Sequence, residues 1–168
     1  DKEAAATLQL VEQALMHLRD GQPLRLMGLA EGDGKGMRML QTLTAKPVLY
    51  VCNVGEDEVA NGNSWTKRIS AMANEQGASS VIISAKIEEE VAQLSDEAER
   101  AEFLDALNLS ETGLAGVVRA GYGLLDLVTF FTSGPKETRA WTVKRSVKAP
   151  QAAGAIHTDF ERGFIKAE

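Results

Sequence analysis

The sequence predicts an α/β chain that closes in a β hairpin. Three observations carry this. Two short apolar runs, Val48-Leu49-Tyr50-Val51 and Val81-Ile82-Ile83, have strand length and composition. The stretch between them, 64–76, places Trp65, Ile69, Met72 and Ala73 at helical spacing, toward a core. A run, a helix and a run in that order predict a parallel βαβ unit with a right-handed crossover. From Leu127 the pattern changes to β-branched and aromatic, Val128-Thr129-Phe130-Phe131-Thr132, then the turn Ser133-Gly134-Pro135-Lys136, then the alternating Thr138–Val143.

The remaining elements follow in order. Residues 3–19 read as an amphipathic helix with Leu8, Val11, Leu15 and Leu18 on one stripe, ended by Asp20-Gly21-Gln22-Pro23. A second helical pattern, roughly 36–45, carries Met37, Leu40 and Leu43, so the two predict a helical hairpin whose stripes are core or pairing surface. Gly28–Gly36 between them is glycine-rich, yet it fails the phosphate-loop pattern: Leu29 stands where the first glycine belongs, and Gly36 replaces the magnesium-binding hydroxyl. It reads as a flexible connection. Gly77 sits where a helix C-cap prefers it. Glu88-Glu89-Glu90 gives an acidic, solvated helix start matched to the helix dipole. Ser95 is the expected cap of a helix reaching about Leu107, with Phe103, Leu104 and Leu107 on one face. Another helix is expected over 112–126, a further one after Pro150, and a third strand at Gly163-Phe164-Ile165-Lys166.

Length and charge bound the function. The 168 residues are 44% hydrophobic, enough for a buried core. A net charge of −6 gives no global attraction to nucleic acid, so any RNA contact needs a local patch. Cys52 is the single cysteine, which excludes an internal disulfide and fits a small core residue in a reducing, cytoplasmic compartment. No apolar run approaches the roughly 20 residues that span a bilayer, so no membrane association is expected. The chain opens at Asp1 inside a helical pattern and stops after an apolar run, which predicts a piece of a longer protein.

The chemistry concentrates where the two apolar runs end. The first ends in Asn53-Val54-Gly55-Glu56, the second in Ser84-Ala85-Lys86. Open α/β sheets bind ligands at the carboxyl ends of their strands. This pair resembles the base-binding edge of P-loop GTPase-type domains, where Asn-Lys-x-Asp ends one strand and Ser-Ala-Lys the next. There the aspartate accepts two hydrogens from guanine. Here Glu56 is one methylene longer and Val54 replaces the lysine. Adenine offers an acceptor at N1, which a carboxylate repels, so the departure weakens the case for guanine and leaves room for adenine. Alone, Asn-x-x-Glu fits a buried strand followed by a polar turn better than a base site.

Longer matches sharpen the resemblance. They are Arg119-Ala120-Gly121-Tyr122, Thr129-Phe130-Phe131-Thr132 with Ala140-Trp141-Thr142, and Ala149–Gly154 with Ile156–Phe164. With Asn53–Glu56 they make the chain similar to the Obg-like ATPase family of the YchF type, among the translation-factor-related P-loop NTPases. The resemblance covers nearly the whole chain. It implies three parts: the second half of a helical, coiled-coil-like insertion at 1–45, the C-terminal half of a G domain at 46–126, and an incomplete β-grasp (TGS) domain at 127–168. It implies ATP hydrolysis with GTP less favoured, magnesium, a cytoplasmic setting, and a ribosomal partner through the large subunit or its rRNA. Gly-x-x-x-x-Gly-Lys-Ser/Thr is missing from the sequence and no Asp-x-x-Gly stands as a switch motif, since Asp33–Gly36 spells the pattern but no strand precedes it, so catalytic and metal-binding residues are expected outside this chain and the chain alone is expected to be inactive.

By the same resemblance Asn53, Val54 and Glu56 recognise the base, with Ser84, Ala85 and Lys86 in support. Lys86 fits a solvated helix start equally well. Lys136, Arg139, Lys144, Arg145 and Lys148 form a basic patch in an acidic chain. A solvated hairpin face and an RNA phosphate contact both fit it. Trp141 favours hairpin packing over base stacking. His157 has no nucleophile at a recognisable spacing and reads as structural or RNA-facing, and His17 as a surface residue. The competing function is a TGS-type RNA- or ribosome-binding module without catalysis. An upstream phosphate loop in the parent protein discriminates the two. The oligomeric state stays open.

Overall fold

The computed structural model describes residues 2–29 and 33–166. The order of elements is α1 (Lys2–Arg19), α2 (Asp33–Met39), β1 (Leu49–Asn53), α3 (Ser64–Glu75), β2 (Ser79–Ile83), α4 (Ala85–Gln93), α5 (Glu97–Ala106), α6 (Gly113–Leu124), β3 (Leu127–Ser133), β4 (Thr138–Lys144), α7 (Ala149–Ile156) and α8 (Thr158–Arg162). The α/β class read from the sequence holds. The chain divides into two compact units. One runs through Cys52 and includes Gly62–Ser80; the other comprises Asn53–Asn61 and Val81 onward.

In the first unit the core is built by Leu10, Ala14, Leu24 and Met37, with Met27, Leu40 and Ala45 packed on it. This corrects the expected stripe on α1. Leu8, Val11, Leu15 and Leu18 are exposed, and the buried row is Leu10 and Ala14, one turn apart. The reason lies in α2. A Cβ on Gly36 would stand 2.8 Å from Leu10 Cδ2, so the two helices meet at Leu10 through a residue without a side chain. Asp33, Gly34, Lys35 and Gly36 therefore begin a helix, and only the Ala30–Gly32 part of the expected flexible connection lies outside the described residues. The expected helix to residue 45 also stops early. Gln41 turns into the left-handed region (φ 50°), and Leu43–Ala45 is a 3-10 turn.

Helix α3 opens with a reciprocal capping box. Asn63 Oδ1 accepts from the N–H groups of Trp65 and Thr66, while the Thr66 hydroxyl accepts from the Asn63 N–H at 2.8 Å. It closes as the sequence predicts. Gly77 takes φ +60°, its N–H bonds to Asn74 C=O at 3.1 Å, and the Ala78 N–H reaches Ala73 C=O at 2.8 Å. Ala73 is buried and Ile69 and Met72 are half-buried, but Trp65 is 67% exposed, with Arg68 stacked 4.9 Å from its ring. Position 65 lies in the first turn, where the helix end leaves it in solvent.

Strands β1 and β2 pair in a two-stranded sheet. The Val54 N–H donates to Ile83 C=O at 2.9 Å, so the carboxyl ends of the two strands lie side by side, as a parallel pair requires. In the second unit, the acidic start of α4 is not simply solvated. Glu88 accepts from the N–H groups of Gly113 (2.6 Å) and Leu114 (3.1 Å), capping α6 from outside its own chain segment. Thr112 Oγ1 takes a further N–H, from Ala115. Helix α5 is capped by Asp96, which accepts from the Ala98 N–H, in place of the expected Ser95.

Helix α6 ends where Asp126 takes φ +52°, and β3 begins at once. Strands β3 and β4 form an antiparallel ladder from Leu127↔Lys144 to Ser133↔Thr138. One face carries Val128, Phe130, Thr132, Arg139, Trp141 and Val143 by register. The Trp141 indole N–H donates to Thr132 Oγ1 at 2.8 Å, so packing within the hairpin holds this ring. Across the other face Tyr122 Oη meets the Thr142 hydroxyl at 3.1 Å and the Thr129 hydroxyl at 3.3 Å, tying α6 to both strands.

The third strand expected at Gly163–Lys166 is not formed. The sheet among the described residues holds β3 and β4 alone, and Ile165 is 92% exposed. A strand needs a ladder partner, and among the described residues none pairs with 163–166, which follow α8 directly. His157 Nδ1 accepts from the Asp159 N–H at 3.2 Å and so caps α8. Gly154 lies against Glu161, which brings α7 and α8 close.

Candidate nucleotide-base edge

The six residues predicted to meet a base fall at one edge, all within the second unit. Strand β1 delivers Asn53 and β2 delivers Ser84 to adjacent loop starts. Asn53 Oδ1 accepts the Ala85 N–H at 3.0 Å, closing one loop onto the other. This N–H is one of the orphan donors of the first turn of α4, so the clasp also serves as a cap. Ser84, at the N-cap position, makes no such bond. Its hydroxyl is buried and without a partner among the described residues. Ser84 is therefore placed to shape the loop, while Asn53, Ala85 and Lys86 are exposed and Val54 and Glu56 half-exposed.

After Val54, Gly55 precedes a 3-10 turn, Glu56–Glu58, which carries Glu56 toward α4. There the Lys86 ammonium donates to Glu56 Oε1 in an ion pair. The carboxylate holds the Lys86 ammonium above the ordinary lysine value, with smaller contributions from Glu90 and Glu89 along α4. Sequence reasoning named both residues but missed their pairing. The signal was available, since opposite charges stood just past the ends of two neighbouring strands. The edge is thus an open ledge with two cross-links, one neutral and one charged. Cavities of about 540 Å³ beside Leu104 and Leu109 and about 410 Å³ between α1 and α2 lie elsewhere.

The basic residues divide. Lys136, Arg139, Lys144, Arg145 and Lys148 are all exposed. Lys144 Nζ donates to Leu125 C=O, and Arg145 pairs with Asp126 at 3.4 Å while its N–H bonds to Asp126 C=O. Both brace the α6–β3 turn. Arg139 lies 4.4 Å over the Trp141 ring. By ladder position Arg139 shares the Trp141 face and Lys144 the Thr129 face, so the five do not form one surface.

His157 serves α8 as a cap, and His17 is half-buried with Nε2 enclosed and without a partner among the described residues, not a surface residue. Among the described residues no group of three or more His, Cys, Asp or Glu side chains could hold a metal ion. No described helix is long and apolar enough to cross a membrane.

These features define an α/β chain with a clasped pair of strand ends, followed by a braced β hairpin. A family profile, YchF-GTPase_C, described as "Protein of unknown function (DUF933)", matches residues 127–168. The chain is 45% identical over 168 residues to the "Ribosome-binding ATPase YchF" of Escherichia coli O157:H7, and 43% identical over 170 residues to that of Bacillus subtilis (strain 168). In both cases the match takes in 100% of this chain and 46% of the relative. A solved structure, the Schizosaccharomyces pombe YchF GTPase, superposes with a TM-score of 0.80 at 34% identity, over 98% of this chain and 43% of that one. The chain belongs to the YchF-type, Obg-like family. It spans about half the length of the curated relatives it matches.

Proposed function

We propose that this chain supplies the base-recognition edge and part of the TGS domain of a cytoplasmic, ribosome-associated P-loop NTPase that hydrolyses ATP in preference to GTP. The observation that carries the reading is the Asn53–Ala85 clasp. It joins the ends of neighbouring strands at the place where open α/β sheets receive ligands. The relatives' names support it, since the bacterial ones are called ribosome-binding ATPases. The yeast structure is titled a GTPase, so the names divide on the base and the chemistry of Glu56 must decide it.

In this reading Asn53 orients both loops, Val54 lies along the base plane, and Glu56 faces the base edge. Ser84 and Ala85 set the second loop, and the lysine stem covers the base. Magnesium and the phosphates belong to residues beyond these 168. Residues 1–45 act as part of the helical insertion, 46–126 as the base-binding half of the G domain, and 127–168 as the TGS portion. Lys136, Arg139 and Lys148 offer phosphate contacts to rRNA; Lys144 and Arg145 serve the turn first. The non-catalytic adaptor reading gains no specific support from the geometry.

Calorimetry on the full-length protein with non-hydrolysable ATP tests the base edge. Asn53→Ala is expected to weaken binding about tenfold, the scale of one lost hydrogen bond plus a loosened loop. Unchanged affinity refutes the proposal. The 168 residues alone are expected to show no turnover, because they lack Gly-x-x-x-x-Gly-Lys-Ser/Thr.

A further inference from the structure

We propose that Lys86 sets base specificity by occupying Glu56. This rests on the nucleotide reading above and goes beyond it by assigning the discrimination to an ion pair, not to the length of an acidic side chain. Guanine presents two donors side by side, N1–H and the exocyclic amine. A carboxylate recognises them by accepting both, which takes an open lone pair on each oxygen. In this chain the Lys86 ammonium already holds Glu56 Oε1. Guanine must therefore share that oxygen with the lysine or displace it, and either weakens the bidentate contact.

Adenine makes the opposite demand. Its N1 is an acceptor and repels a bare carboxylate. An ammonium on that carboxylate removes the repulsion and adds a donor. One pair thus penalises guanine and relieves adenine. The pair is held by position and not by burial. The 3-10 turn after Gly55 carries Glu56, the first turn of α4 carries Lys86, and the Asn53–Ala85 clasp fixes the two loops relative to each other. Glu89 and Glu90 add negative potential at Lys86, but Glu56 makes the contact.

Both side chains are substantially exposed, 68% and 40%, so the effect is that of a screened surface pair. Exposed pairs correspond to changes of up to about fivefold in an equilibrium constant. The test is titration calorimetry of the full-length protein with non-hydrolysable ATP and GTP analogues. Lys86→Met keeps the apolar stem and removes the charge. It is expected to raise the GTP-to-ATP affinity ratio about threefold to fivefold. Lys86→Arg keeps the pair and should keep the ratio. Raising the salt should move the wild-type ratio toward that of Lys86→Met. A Lys86→Met ratio equal to wild type, or an Arg variant that behaves like Met, overturns the inference. Asn53→Ala separates the two levels. If it weakens both analogues while Lys86→Met leaves the ratio alone, only the role of Lys86 falls. If it changes neither analogue, the base edge itself falls.

Discussion

Removing the Glu88 carboxylate should loosen the second unit where α6 begins. Glu88 lies in the first turn of α4 and accepts the N–H groups of Gly113 and Leu114, the first residues of α6. A carboxylate at a helix N-terminus gains from charged hydrogen bonds and from the helix dipole. Gly113 is half-buried, so its orphaned N–H costs about 1.5–2 kcal/mol, whereas water can reach Leu114 and limits that loss to about 0.5 kcal/mol. Adding a partly screened dipole term of about 0.3–1 kcal/mol brings Glu88→Ala to about 2.3–3.5 kcal/mol. Glu88→Gln keeps an acceptor oxygen and should cost about 1 kcal/mol. Urea unfolding of the natural protein reads the shift, and amide exchange at Gly113 and Leu114 locates it. An alanine variant within 0.5 kcal/mol of wild type, or a glutamine variant as destabilised as alanine, would refute the capping account.

Other consequences are smaller. Because the folded state raises the Lys86 pKa, the ion pair contributes fully below the ordinary lysine value near 10.5 and is lost as pH rises through the raised value. Nucleotide affinity should thus show no Lys86-dependent step between about pH 7 and 9, and NMR titration of the Lys86 Cε resonance should give a midpoint above that of ordinary lysine. Hydrogen bonds to Thr129 and Thr142 lower the Tyr122 phenol, so ultraviolet titration should ionise it before an ordinary tyrosine, and Thr129→Val should reverse part of that shift. The lowered phenol adds stability only at alkaline pH, fully above the unfolded value near 10, and contributes none at neutral pH. Trp141→Phe deletes the 2.8 Å bond to Thr132 and should cost about 1 kcal/mol in denaturant unfolding.

Much of this arrangement was legible in the residues. The strand pair, α3 with its Gly77 stop, and the hairpin each have a local cause, in apolar run length, in a left-handed glycine, or in period-two alternation. Where reading failed, the cause was a partner distant in sequence. The stripe Leu8–Leu18 is regular on paper, but Gly36 chooses Leu10 and Ala14 as the buried row. Glu88 looks like a solvated charge until α6, twenty-five residues on, brings two N–H groups to it. The third strand was expected from composition, yet composition cannot supply the edge that a strand needs. That the six candidate residues fall together was readable from their places at the ends of two strands. The Glu56–Lys86 pairing left only a coarse signal, opposite charges past two strand ends, because its geometry depends on a 3-10 turn of three residues.

The most direct test of the central claim is a two-dimensional amide NMR titration of the isotope-labelled natural protein with ATP. The Ala85 N–H, the Val54 N–H and the Asn53 side-chain amide are the reporters, since the Asn53–Ala85 clasp and the Val54–Ile83 bond place all three at the strand ends. The account predicts saturable shifts at these groups, with the Gly113 and Ser133 amides unmoved. ATP binding that leaves Asn53, Val54 and Ala85 unshifted would contradict it.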